Sequence, residues 1–221
     1  MTENNRAILA IDSATSVLKV GLSPSIGIIA EAHNSDRYRH AEFIFTLIEN
    51  VLAKSKLNKA AIGSIIICTG PGSFTGLRVG MASAKALAVS LSIPLGGVSV
   101  FSAVAPRLYR EQGRAAVLVP SRRNEYYFAP VDSESFDDRS ISVITVDELQ
   151  HATGLPPLYG IDCDLTALKD VEAPIISNES FQVGLADLIN IGRQRLEKTG
   201  GDDITRLEPL YIQEFKAGKI K

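Results

Sequence analysis

The chain has 221 residues, of which 45% are hydrophobic and 22% charged, with a formal net charge of −2 at pH 7. This composition is typical of a globular protein with one large domain or two small lobes, and the net charge gives no overall attraction to nucleic acid. The 2 cysteines, Cys68 and Cys163, are too few for a disulfide framework. We therefore expect a cytoplasmic protein whose thiols are reduced and buried.

No targeting or membrane-spanning segment is expected. The opening residues MTENNRAILAID carry an acid before a very short apolar run, unlike a signal peptide. The stretch 86–106 has no charge and is long enough to span a bilayer, but serines, Pro94 and Gly96-Gly97 divide it. We interpret this stretch as a helix end, a turn, a strand and a helix start in a buried core.

The first half of the chain predicts the element order βββαβαβ, followed by a further helix. Apolar runs at 7–12, 17–23 and 26–33 predict a meander of strands. Apolar residues at helical spacing predict helices over 40–57 and 74–91. Strands are predicted over 64–69 and 95–100, and the further helix over 101–113.

The second half repeats this order with shorter elements. Strands are predicted over 115–120, 124–131, 140–146, 158–163 and 174–177, a short helix over 147–153, and a capped amphipathic helix over 178–200. Two successive βββαβα units predict an α/β fold of two ribonuclease-H-like lobes in tandem, as in actin, hexokinase and Hsp70 of the ASKHA superfamily, with the second lobe reduced. We place the lobes at 1–105 and 106–221, with the C-terminal tail as a candidate to return to the first lobe.

A glycine-rich stretch, GPGSFTGLRVGMASAKA at 70–86, lies between a predicted strand and a predicted helix. A Walker A loop would need a Lys-Ser or Lys-Thr pair directly after Gly76, and this sequence has none there. A dinucleotide-binding fingerprint would need one residue fewer between Gly72 and Gly76. Ser73 or Thr75 can cap the helix, and small residues along the helix allow another helix to approach closely. We interpret the stretch as one that positions a helix for packing, with phosphate binding as the alternative.

The predicted 40–57 helix is apolar on nearly all sides, which one lobe cannot easily bury. An excess of apolar helix surface is typical of a subunit interface. The 40–57 and 74–91 helices are therefore candidates for a pairing surface.

Neither hairpin that would hold nucleotide phosphates in an actin-like fold is complete. The first, DSATS at 12–16, has the expected Asp. However, Ala14 occupies the position where a glycine would let the backbone approach a phosphate. We interpret Asp12, Ser13 and Thr15 as a degenerate phosphate loop, or Asp12 as no more than a turn cap. The second hairpin, VPSRRNEYY at 119–127, contains neither Asp nor Gly.

No catalytic or metal-binding set is predicted. The histidines, His33, His40 and His151, lack the spacing of a zinc site, and a histidine before a helix is more often a capping or surface residue. There is no G-x-S-x-G nucleophile motif. We expect no cofactor to be bound by this chain alone.

The region between Glu49 and Glu111 contains no acid but several basic residues, namely Lys54, Lys56, Lys59, Arg78, Lys85, Arg107 and Arg110. Such a segment either faces an anionic partner such as RNA or is neutralised in the fold by acids from the other half.

Three stretches, ILAIDSATSVLKVGL, GPGSFTGLRVGMASAKALA and LEPLYIQEF, resemble the TsaB (YeaZ-type) family of bacterial accessory proteins for making threonylcarbamoyladenosine on tRNA. The resemblance covers about residues 7 to 105 well and is looser in the second lobe. There the family usually shows Asp-Ala-Arg where this chain has Ser121-Arg122-Arg123, and Gly-Asp-Gly where it has Gly160-Ile161-Asp162.

The resemblance implies a pseudoenzyme, a non-catalytic copy of the metal-binding catalytic subunit TsaD. Such proteins pair with TsaD through first-lobe helices, the small ATPase TsaE joins them, and ATP and metal belong to those partners. The catalytic partner transfers a threonylcarbamoyl group to an adenosine in the tRNA anticodon loop, so tRNA is reached through the complex, and without the partner the same surface forms a homodimer. Carried over to this chain, the expected interface residues are Phe45, Ile48, Leu52, Phe74, Leu77, Arg78 and Met81.

Two other functions remain as alternatives. One is an actin-like nucleotide-dependent kinase or ATPase acting alone, which would have to bind Mg-ATP through the incomplete hairpins. The other is a metallopeptidase, which would need metal ligands at a spacing that this sequence does not show.

Overall fold

The structure is a computed structural model that describes residues 6–24, 27–36, 39–163, 166–176 and 182–212. Residues 25–26 and 177–181, which belong to or adjoin predicted elements, and the final segment 213–221 lie outside the described residues.

The first lobe is built on a five-stranded sheet with the strand order β3-β2-β1-β4-β5. Its strands are β1 (Ala7–Asp12), β2 (Leu18–Ser23), β3 (Ala30–Asn34), β4 (Ile62–Gly70) and β5 (Leu95–Ser99). The first three form an antiparallel meander, and β4 and β5 run parallel to β1. Because helices cover both faces of its central strands, β1 and β4 are apolar along most of their length.

Two helices pack on one face of this sheet, α1 (His40–Ser55) against β2 and β3, and α2 (Phe74–Leu91) against β4. Each helix ends at a residue in the left-handed conformation, Lys56 at φ 57° and Ser92 at φ 53°. The side chain of Ser73 caps α2 by accepting from the N–H of Gly76 at 3.2 Å, which confirms one of the two predicted caps.

The second lobe repeats the same connectivity in smaller elements. Its sheet has the order β10-β9-β6-β7-β8 and comprises β6 (Ala115–Pro120), β7 (Glu125–Val131), β8 (Ser142–Thr145), β9 (Leu158–Gly160) and β10 (Ile175–Ile176). The strands β6, β7 and β8 are antiparallel neighbours, while β9 and β10 extend the sheet in parallel. A single short helix, α4 (Val146–His151), follows β8. The tandem, reduced ribonuclease-H-like fold is thus confirmed.

Two further helices, α3 (Val100–Gln112) and α5 (Leu185–Thr199), pack against each other and join the lobes. Although it comes from the second half of the sequence, α5 lies on the strands β1, β4 and β5 of the first sheet. One continuous apolar core combines Val98 of the first sheet, Phe101 of α3, Val117 of the second sheet and Leu188 of α5. The guanidinium of Arg107 on α3 reinforces this junction, with its Nη2 3.0 Å from Asp187 Oδ2 on α5.

The segment 201–212 also lies against the first sheet. Asp202 donates its N–H to the carbonyl of Leu95 at 2.8 Å, and its Oδ2 accepts from the N–H of Gly97 at 2.7 Å. Further along, the N–H of Leu210 donates to the carbonyl of Thr69 at 2.8 Å. These bonds pair part of the backbone of the edge strand β5 and bring Tyr211 beside the start of α2.

Among the predicted boundaries, two differ most from the structure. The strand predicted to begin at 26 begins at Ala30, because Gly27 at φ 74° forms a turn and the N–H of Ile29 bonds back to Leu22. The helix predicted over 178–200 begins at Leu185 as far as it is described, with the N–H of Gly184 bonded to Asp187 Oδ2 at 3.3 Å. In the described ranges, no helix has both the length and the apolar character needed to cross a bilayer.

Candidate functional site

The lobes enclose a cleft of about 960 Å³. The β1–β2 turn, the starts of α1 and α2, and the β6–β7 hairpin all contribute lining residues, together with Asp162 and Tyr211. The cleft therefore brings together both hairpins in which the sequence analysis sought a phosphate site.

The β1–β2 turn is held by the carboxylate of Asp12, which is fully buried. Its Oδ1 accepts from the N–H of Ala14 at 3.0 Å, and its Oδ2 accepts from the hydroxyl of Thr15 at 3.1 Å, with Lys19 Nζ at 3.5 Å. Within the described residues, the buried hydroxyl of Ser13 has no hydrogen-bond partner. The bonds of Asp12 are those of a turn cap, which was one of the two interpretations left open.

A carboxylate from the second lobe binds the same turn. The Oδ2 of Asp162 accepts from the N–H of Ser16 at 2.7 Å, and its Oδ1 accepts from the Ser16 hydroxyl. Asp162 has the left-handed φ of 52° that follows the end of β9. A backbone N–H of the kind that could bind a phosphate oxygen is therefore already engaged by an internal anion. Nothing in the local sequence around Asp162 indicated this contact.

The glycine-rich stretch packs on the same turn. The N–H of Ser73 donates to the carbonyl of Ala14 at 2.7 Å. A Cβ on Gly72 would overlap that carbonyl oxygen, and a Cβ on Gly76 would overlap the carbonyl oxygen of Ser13. The glycines thus position α2 for packing, as predicted, but their close neighbour is the β1–β2 turn and not another helix.

His40, the first residue of α1, is 4% exposed, so of the two expectations, a capping or a surface residue, the surface position was wrong. Neither ring nitrogen has a hydrogen-bond partner in the described ranges, and Nδ1 lies 3.1 Å from where a Gly76 side chain would start. In the part of the chain that the structure describes, no three His, Cys, Asp or Glu residues are grouped to hold a metal ion.

Cys68 on β4 is buried, as predicted, whereas Cys163, also predicted to be buried, is only partly buried. Burial and, next, the nearby Asp12 carboxylate raise the pKa of the Cys68 thiol well above the usual range. The thiol therefore stays neutral and packs as an apolar core group.

Three predicted interface residues lie on the outer faces of α1 and α2. The side chains of Phe45 and Phe74 are 50% and 56% exposed. The guanidinium of Arg78 lies over the Phe74 ring at 3.9 Å from the centroid, and its Nε donates to the hydroxyl of Tyr211 at 3.2 Å. The ring of Tyr211 is 5.8 Å from that of Phe74. We call the outward residues Ala41, Phe45, Phe74, Arg78, Ala82 and Val89 the helix face.

The structure corrects the other four predicted interface residues, because all four are buried. Ile48, Leu52 and Met81 belong to the core between the helices and the first sheet, and Leu77 belongs to the core shared by the lobes. Helical spacing identified these apolar stripes but did not distinguish the stripe that faces the sheet from the one that faces outward.

The basic segment between Glu49 and Glu111 is partly neutralised by acids from the second half. Arg107 pairs with Asp187, and Arg110 Nη1 lies 2.9 Å from Glu134 Oε2. This is the second of the two interpretations offered for that segment.

A protein-family model described as "TsaD: tRNA N6-adenosine threonylcarbamoyltransferase" matches residues 27–185. The tRNA threonylcarbamoyladenosine biosynthesis protein TsaB of Escherichia coli is 33% identical over 124 residues, which cover 55% of this chain and 53% of that protein. TsaB of Bacillus subtilis is 30% identical over 120 residues, covering 54% and 52% respectively. The matches span about half the length of these curated relatives.

A solved structure from Pseudomonas aeruginosa, described as an uncharacterized protein with similarity to peptidase YEAZ, shares this fold with a TM-score of 0.74. It is 20% identical, and the match covers 94% of this chain and 100% of that chain. At this level of identity the likeness establishes the fold alone.

Proposed function

The chain belongs to the threonylcarbamoyltransferase family whose model it matches, as a TsaB/YeaZ-type member, and from that premise we propose that it is a non-catalytic subunit in threonylcarbamoyladenosine biosynthesis on tRNA. The observation that carries this proposal is the occupied β1–β2 turn. Asp162 accepts from the Ser16 N–H, and the Ser73 N–H donates to the Ala14 carbonyl, so two N–H groups that could bind a phosphate are bonded within the chain.

The partners that we propose are a TsaD-type catalytic subunit and a TsaE-type ATPase, which would supply the metal and the ATP. The helix face supports such pairing, since α1 and α2 contact each other and present two half-exposed phenylalanines on one side of the lobe. Exposed aromatic residues of this kind are enriched in protein interfaces. In the absence of the partner, the same face would pair two copies of the chain. The assembly would act on tRNA in the cytoplasm.

The test is a reconstituted reaction containing the partner proteins, tRNA, threonine, bicarbonate and ATP, with only this chain withheld. Modified adenosine in digested tRNA is measured by mass spectrometry. Product should collapse without the chain and return when it is added. Unchanged product in its absence would refute the proposed role, and tight Mg-ATP binding by the isolated chain would support a kinase or ATPase instead.

A further inference from the structure

The tip of the β6–β7 hairpin carries two exposed arginines, Arg122 and Arg123. Elsewhere, exposed arginines such as Arg110, Arg114 and Arg139 each pair with a carboxylate. Across the described ranges, neither guanidinium at the hairpin tip has a hydrogen bond or an ion pair. Two adjacent cations without a carboxylate partner among the described residues are therefore presented at one point of the surface.

The hairpin backbone holds these arginines in a defined place. The N–H of Glu125 donates to the carbonyl of Arg122 at 3.1 Å, and the N–H of Ser121 donates to the carbonyl of Glu125 at 3.1 Å. Asn124 closes the turn in the left-handed conformation at φ 61°. A tight turn of this kind limits the backbone entropy that would be lost when the tip binds a ligand.

The tip lies at the mouth of the inter-lobe cleft. Arg122 lines the cleft together with the N-terminal end of α2, where the guanidinium of Arg78 is already engaged by the Phe74 ring and the Tyr211 hydroxyl. The carboxylate of Asp162, which also lines the cleft, is engaged by Ser16. The same lining contains the ring of Tyr127 from β7, while the rings of Phe74 and Tyr211 contact each other and Arg78.

We propose that this mouth binds a single-stranded segment of RNA, with Arg122 and Arg123 on its phosphates and the ring of Tyr127 against a base. Arginine is well suited to phosphate, and unpaired bases stack on aromatic rings and guanidinium planes. The volume of about 960 Å³ is within the range of ligand-binding clefts. The inference rests on the proposed function, in which the substrate is tRNA, and it adds a direct contact made by this chain.

The test is fluorescence anisotropy of a labelled anticodon stem-loop RNA, titrated with the full chain at several salt concentrations. The double variant Arg122→Ala/Arg123→Ala should weaken binding about tenfold. It should also reduce the slope of log affinity against log salt by about 1.4, because each lost single-strand phosphate contact contributes about 0.7. A duplex RNA of equal charge without a loop should bind more weakly than the stem-loop.

The matched control is Lys59→Ala/Lys198→Ala, which removes the same charge near the start of β4 and at the end of α5, away from the cleft. Its affinity should stay within about twofold of the wild type. The inference is overturned by an unchanged affinity in the arginine variant, by an equal loss in the lysine control, by a wild-type chain that does not bind the stem-loop, or by an acidic peptide that binds the mouth more tightly than RNA.

Failure here is separable from failure of the proposed function. If the arginine variant binds the stem-loop like the wild type while product still requires the chain, the RNA contact is wrong and the accessory role stands. If RNA binding follows the arginines while product forms without the chain, the accessory role is wrong.

Discussion

At the scale of single residues, the packing of the β1–β2 turn depends on two carboxylates and on two glycines that have no side chain. Asp12 and Asp162 supply carboxylates to the backbone N–H groups of Ala14 and Ser16. Gly72 and Gly76 contribute by having no Cβ, which allows α2 to begin directly against the turn. Together these groups make the turn a packed part of the fold.

The close approach of Gly76 to the β1–β2 turn predicts that Gly76→Ala changes stability in the direction opposite to that expected from helix propensity. Helix propensity alone would make Gly76→Ala stabilising by up to about 1 kcal/mol. Because a Cβ there overlaps the Ser13 carbonyl, we instead expect a loss of about 1–3 kcal/mol in the free energy of unfolding. Urea denaturation followed by circular dichroism measures it. Ala82→Gly, on the exposed side of α2, should cost only about 1 kcal/mol, and a stabilised Gly76→Ala variant would contradict the packing described here.

At the scale of elements, the helices illustrate what apolar periodicity can and cannot predict. The bounds predicted for α2, 74–91, are those observed, and Ser73 was one of the two caps predicted from residue type. Which stripe of each helix faces the sheet was not predictable, because α1 has apolar residues on several sides. Only the packed structure separates Phe45 and Phe74 on the outside from Ile48 and Met81 inside.

The helix face predicts a specific loss of pairing. Phe45→Glu should abolish association with the catalytic partner, and self-association of the isolated chain, without unfolding it, since half of the Phe45 side chain is exposed. Size-exclusion chromatography with light scattering measures both. Ile29→Glu is the matched control, because Ile29 is 46% exposed but lies before β3, outside the helix face. Retained pairing in the Phe45 variant would place the interface elsewhere.

For Met81, unlike Phe45, we expect a substitution to lower the stability of the chain itself. Because it lies in the core beneath α2, Met81→Arg should lower stability by more than about 3 kcal/mol, the result of burying an unpaired charge. Thermal denaturation would detect this loss. A folded Met81→Arg variant of wild-type stability that fails to pair would instead return Met81 to the interface.

At the scale of the whole molecule, the repeated element order in the sequence was sufficient to predict two lobes of one topology. It could not show that α5 and the segment 201–212 pack on the first sheet, because such contacts join residues about one hundred positions apart, as Gly97 and Asp202 do. The Ser16–Asp162 contact was unpredictable for the same reason, with 146 positions between its partners.

That contact predicts energetic coupling between the lobes. Asp162→Ala and Ser16→Ala should each cost about 1–3 kcal/mol, the usual range for hydrogen bonds to a charged group. In a double-mutant cycle the two losses should be non-additive by at least about 1 kcal/mol, measured by urea denaturation. Strictly additive losses would mean that the lobes are not coupled through this pair.

The central claim is that the chain supports tRNA modification through its helix face. The most direct test is product formation by the reconstituted system when the wild type, Ile29→Glu or Phe45→Glu is added in turn. We predict that the wild type and Ile29→Glu restore modified adenosine in tRNA, and that Phe45→Glu does not, at equal concentrations of folded protein. Full restoration by Phe45→Glu would contradict a role exerted through the helix face, and product formed with no chain added would contradict the accessory function itself.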